Sequence, residues 1–147
     1  MTGSYLMMVI IIAAIGGAAV ALQAQFMGVL DQNIGTIESM FITYGTGGVI
    51  IGLAMLFMRG GNLSAWQTVP WYFLCSGLLG LVIVGAIGYS TPRLGLVTVI
   101  TILVTSQFIV GAIVDHFGLF GADLRALDIS RLTGIIILLF GAWLVIR

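Results

Sequence analysis

Asp115 and His116 are adjacent, and His116 is the one histidine of the chain. A carboxylate beside an imidazole is the material of general acid–base chemistry. The spacing argues against that use. Neighbours on a helix point about 100° apart, so the two groups do not converge on one reacting atom. No serine or cysteine nucleophile motif stands nearby. Cys75, the one cysteine, lies in an apolar run, with no intrachain partner for a disulfide and no Cys/His cluster for zinc. The chain is therefore read as no enzyme, with no catalytic residues, no metal and no cofactor.

The glutamines carry a different chemistry. Gln107 lies near the middle of an apolar run, about 3 Å along the helix axis from its centre. An unpaired amide in an apolar medium costs roughly 1–3 kcal/mol. Gln107 should therefore face another helix or a solute. Gln107, Gly111 and Asp115 follow at four-residue steps and share one stripe. Thr98, Thr101 and Thr105 fall on the opposite side. Serine and threonine in apolar helices often bond their own preceding turn, so each says little alone. The candidate solute contacts are Gln107 and Gln23, then Gln25 and Tyr44, with Thr105 and Met27 behind them. No span carries Asp, Glu, Lys, Arg or His near its middle, where such residues usually mark proton or ion pathways. A small polar or zwitterionic solute fits that inventory better than a bulky cation.

These side chains need a scaffold, and composition says which kind. Of 147 residues, 61% are apolar and 7% charged, against roughly 45–50% and about 25% in soluble proteins. A chain this short has too much surface to hide so much apolar area from water. Lipid is the expected solvent, and the bilayer the first partner. With no lysine, five arginines and zero net charge, nucleic acid is not an expected partner. The amino-terminal run lacks the basic segment of a signal peptide and is read as a retained span.

Five spans are expected as helices, over about 5–30, 37–58, 70–90, 95–115 and 131–146, in one membrane domain covering 1–147. Lengths of about 17–26 residues suit helices, where a membrane strand needs about 9–11. Asp31-Gln32-Asn33 is read as ending the first helix, Arg59-Gly60-Gly61-Asn62 as ending the second, and Ser90-Thr91-Pro92-Arg93 as the entry to the fourth. Thr36 is read as an N-terminal cap, with Glu38 in the positive first turn. Small residues let membrane helices approach closely. Gly48 and Gly52, then Gly77, Gly80 and Gly88, then Gly134 and Gly141, are the expected packing faces.

Five spans put Arg59, Arg125 and Arg131 on one side and Arg93 and Arg147 on the other. Three against two specifies almost no orientation. The chain is read as inserting both ways and pairing antiparallel with itself; a partner chain that sets the topology is the alternative.

Two sequence blocks give the pattern a family context. "TPRLG" at 91–95, then "SQ", then "DHFGLFG" at 115–121 resembles the YdcZ-like bacterial family of the drug/metabolite transporter superfamily. "GGAAVALQAQFMGVLDQNIGT" is similar to that family's Gly/Ala-rich first helix. "SRLTGIIILLFGAWLVI" is similar to the Gly-spaced last helix found widely in the superfamily, including the small multidrug resistance proteins. The resemblance implies an all-α integral membrane protein of the bacterial cytoplasmic (inner) membrane, half of a ten-helix inverted-repeat transporter fold. The second half would be another copy in antiparallel orientation or a paired homologous chain. Met27 stands where the resemblance implies an asparagine. Glutamines stand where small multidrug resistance proteins carry a glutamate, which argues against their scheme of proton-coupled cation export. The expected function is a transporter subunit working by alternating access. The alternative is a non-transporting membrane subunit that pairs with and stabilises a related chain.

Overall fold

Hydrocarbon offers backbone groups no outside partner, so each apolar run closes its own hydrogen bonds as a helix. The computed structural model describes residues 3–58 and 61–147, and five of its helical segments are long and apolar enough to cross a bilayer. They are α1 (Gly3–Ile34), α2 (Thr36–Phe57), a third span built from α3 (Trp71–Leu74) and α4 (Ser76–Leu94), α5 (Leu96–Phe117) and α6 (Ile129–Ile146). No strand occurs among the described residues. The all-α, five-span expectation holds. Arg59 and Gly60, read as part of the end of the second helix, lie outside the described residues.

Helix ends differ from expectation at informative places. Helix α1 runs on through Asp31, Gln32 and Asn33. Asn33 donates its side-chain amide to the Val29 carbonyl at 2.7 Å, so its polarity is absorbed by the helix itself. Ser90–Arg93 are the last turns of α4, not a connection. Pro92 removes one backbone N–H near the helix end, where the loss is small, and the residue four before it is glycine. Helix α6 begins at Ile129, because the Asp128 side chain accepts the Arg131 backbone N–H at 2.7 Å and caps the first turn. Thr36 does not cap α2: its hydroxyl donates to the Asp31 carboxylate, and the N-cap position is Gly35. Glu38 does lie in the first turn of α2.

Two of the joints between spans are single glycines. Gly35 separates α1 from α2 with φ 97° and ψ 162°; Gly95 separates α4 from α5 with φ 83° and ψ 150°. Side-chain-bearing residues rarely adopt this region, so a glycine lets one span turn into the next with no loop. Each glycine carbonyl already accepts the first bond of the following helix, from Ser39 and from Val99, both at 3.1 Å. Gly35→Ala and Gly95→Ala are each expected to cost about 1–3 kcal/mol, measured as lower midpoints of unfolding in sodium dodecyl sulfate. Gly16→Ala, inside α1 with open space around it, should instead hold or raise the midpoint.

The chain divides into two compact units, 1–93 and 94–147. In the first, Ala24, Met27 and Gly28 of α1 are buried with Ser39 of α2 and Val84, Ile87, Gly88 and Thr91 of α4. The fit is close: a methyl on Gly28 would stand 2.9 Å from the Thr91 Cγ2. In the second unit, α5 packs along α6, and Val99 and Ala142 are buried. Most other apolar side chains face outward. The most apolar stretches of α1 and α2 have 0% of their residues buried within the chain. Lipid or another protein chain must cover them.

Candidate functional site

Each unit carries an open, mostly apolar groove whose lining includes polar side chains that the sequence singles out. In the second unit, α5 contributes Gln107, Phe108, Gly111 and Asp115 to a groove of about 660 Å³; α6 contributes Arg131, Gly134 and Leu138. The stripe of Gln107, Gly111 and Asp115 is one wall, as its four-residue spacing predicts. The Gln107 amide has no hydrogen-bond partner among the described residues and is exposed. Asp115 and Arg131 stand at one end, with carboxylate and guanidinium 3.9 Å apart and each side chain about 40% exposed (42% and 41%). Arg131 was not among the expected site residues. It lies in the first turn of α6, and the packing of α6 along α5 brings it to the end of the stripe.

In the first unit, Gln23 of α1, Thr43, Tyr44 and Gly48 of α2, and Gly80 of α4 line a second groove of about 520 Å³. The Tyr44 hydroxyl lies directly over Gly80, in space a side chain at 80 would need. Thr43 gives its hydroxyl to the Ser39 carbonyl at 2.8 Å and so has no donor to spare for a ligand.

The other expected residues divide. Gln25 is exposed but lies outside both grooves. Met27, expected as a solute contact, is instead a core residue, 1% exposed, with its Cε against Gly88. Thr105 donates to the Thr101 carbonyl at 2.7 Å and lines neither groove. Of the expected packing glycines, Gly80 and Gly88 meet other helices closely. Gly48, Gly52, Gly77, Gly134 and Gly141 have open space where a Cβ would stand.

Comparison with known proteins now gives this geometry a family. The profile of a family described as "Putative inner membrane exporter, YdcZ" matches residues 8–144. The chain belongs to the YdcZ family. Inner membrane protein YdcZ of Escherichia coli (strain K12) is 32% identical to it over 134 residues, which covers 89% of each chain. No solved structure matches the chain significantly. Five apolar helices and YdcZ-family membership together make it a multi-pass inner membrane protein.

Both sequence blocks behind the YdcZ resemblance fasten helix ends. In "TPRLG", Thr91 presses on Gly28, and Arg93 reaches the Asp31 carboxylate at 3.2 Å. The same guanidinium lies over the Tyr89 ring, 3.6 Å from its centroid, and donates to the Tyr89 carbonyl. Asp31 also accepts the Thr36 hydroxyl, and its side chain is only 6% exposed. In "DHFGLFG", Gly118 stops α5 in a left-handed cap, with its N–H on the Val114 carbonyl. The chain then folds back: Arg125 donates its N–H to the Asp115 carbonyl at 2.8 Å, and Leu127 donates to His116 Nδ1 at 3.1 Å. His116 therefore holds the loop to the helix end, with its proton on Nε2 in this arrangement.

That role has a direct test. His116→Ala should speed amide exchange at Leu127 about fivefold, the effect of losing one hydrogen bond worth about 1 kcal/mol. His116→Asn, which keeps an acceptor near the same place, should restore most of the protection.

Proposed function

We propose that this chain is one half of an exporter. It would pair with a second copy in the opposite orientation, or with a homologous chain, to form a ten-helix unit. That unit would move a small polar or zwitterionic solute by alternating access, from a site near the bilayer midplane. The supporting observation is the Gln107 amide, placed mid-span on a groove wall with no partner among the described residues. Lipid cannot satisfy an amide, so a solute, its water or a facing helix must, and the open groove beside Gln107 favours the solute. YdcZ-family membership, under a description that names an exporter, agrees.

The near-balance of arginines and the open glycine faces at Gly48, Gly52, Gly134 and Gly141 support an antiparallel pair. In a Cys75→Ser background, Gln32→Cys and Asn62→Cys lie at opposite ends of α1 and α2. Each should react with an impermeant maleimide from both faces of inside-out and right-side-out vesicles. Reaction of each from one face only excludes dual insertion and leaves a paired homologous chain as the second half. The open glycine faces equally suit a non-transporting subunit that stabilises a partner. That reading takes over if the purified pair is stable yet moves no solute.

A further inference from the structure

We propose that the groove of the second unit takes an amphipathic zwitterion. Its ammonium would lie at Asp115, its carboxylate or phosphate at Arg131, and its apolar body along the groove toward Gln107. This rests on the transporter reading and narrows its substrate class.

The charge pair is what points to a ligand. Asp115 and Arg131 are 3.9 Å apart, beyond a normal hydrogen bond, and each side chain is well exposed. The Asp115 carboxylate accepts no hydrogen bond among the described residues. Among the described residues the Arg131 guanidinium, with five donors, makes one hydrogen bond, at 3.4 Å to the Arg125 carbonyl. Two other carboxylates among the described residues are better occupied. Asp31 has both Arg93 and Thr36, and Asp128 caps α6. A loose pair of opposite charges holds a donor and an acceptor ready for a ligand that carries both. A ligand with one charge would satisfy one member and repel the other, so zwitterions are favoured over simple anions and cations.

The groove sets the rest of the ligand. From Asp115 to Gln107 is eight helical residues, about 12 Å. Between them the walls are apolar: Phe108 and Ala112 on α5, Ile135 and Leu138 on α6. The ligand therefore needs an apolar body behind its charged head, and a polar group near the far end would meet the Gln107 amide. A free apolar amino acid has this chemistry, and so does an ethanolamine phospholipid.

The test uses the full chain in nanodiscs of phosphatidylglycerol alone, which supplies no zwitterionic head. L-phenylalanine is the soluble probe and lysophosphatidylethanolamine the lipid probe. Glycine, 3-phenylpropionate and 2-phenylethylamine remove the body, the ammonium and the carboxylate in turn. At least one zwitterionic probe should bind about tenfold more tightly than every truncated analogue, and Asp115→Asn and Arg131→Gln should each weaken it about tenfold. Binding of phenylalanine identifies a free solute; binding of the lysolipid alone identifies a lipid. Equal binding of a singly charged analogue, no binding of either zwitterion, or full binding by both variants while their helix content is unchanged would overturn the proposal. The two levels remain separable. Gln107-dependent movement of some other solute in vesicles would leave the transporter reading standing and this one refuted.

Discussion

Arg93→Ala is expected to lower the stability of the first unit by about 2–3 kcal/mol, the largest loss anticipated for a single side chain outside the apolar core. Removing one partner of a buried pair costs about 3–5 kcal/mol, because the remaining charge is stranded. Asp31 is the stranded group here, with its side chain 6% exposed. The expected loss falls below that range because the Arg93 side chain is 49% exposed and the Thr36 hydroxyl stays on Asp31. Arg93→Lys should recover only part of it. Lysine can reach a carboxylate but does not reproduce the flat stacking of guanidinium on Tyr89. The sharper outcome concerns the double variant. Asp31→Leu with Arg93→Leu should be more stable than Arg93→Ala alone, since an apolar pair strands no charge. Unfolding midpoints in sodium dodecyl sulfate rank the four proteins. A double variant no better than Arg93→Ala would mean that the ion pair, and not the stranded carboxylate, sets the cost.

Gln107→Leu should separate function from fold. Leucine has nearly the volume of glutamine and no polar group to leave unpaired in lipid. Stability should hold or rise by up to about 1 kcal/mol. Transport should fall at least about tenfold, the loss of roughly 1.4 kcal/mol of solute contact. An interhelical bond predicts the opposite pairing: the midpoint would drop, by about 0.6 kcal/mol for an average bond in a membrane, and transport by the remaining folded protein would survive. Gln107→Asn, one methylene shorter, should fall between wild type and leucine in transport.

The spans were legible because lipid imposes one solution on a long apolar run. The stripe of Gln107, Gly111 and Asp115 was legible because helical period fixes which residues share a face. The threonines are satisfied for the same local reason: Thr43, Thr46, Thr101 and Thr105 all bond a carbonyl of the preceding turn. Asp115-His116 proved to mark a helix end, two residues before the Gly118 cap. What failed was tertiary. Pro92 looked like a break, but a proline in a helix's last turn gives up only one bond. Thr36 had the residue type of a cap, yet Asp31, five residues earlier and across the Gly35 turn, took its hydroxyl. Met27 sat on the same apolar helix as Gln23, and only the approach of Gly88 decided that it faces the core. Arg131 joined the site because its helix lies along α5, which no local spacing encodes.

Counterflow in proteoliposomes decides whether the pair transports. Purified protein is reconstituted, vesicles are loaded with each unlabelled solute of a broad polar and zwitterionic panel, and uptake of the labelled form is followed. At least one solute should exchange saturably, and Gln107→Leu vesicles of equal protein content should exchange it at least about tenfold more slowly. Absence of exchange for every solute, with the folded pair intact in the same vesicles, would exclude transport by this pair.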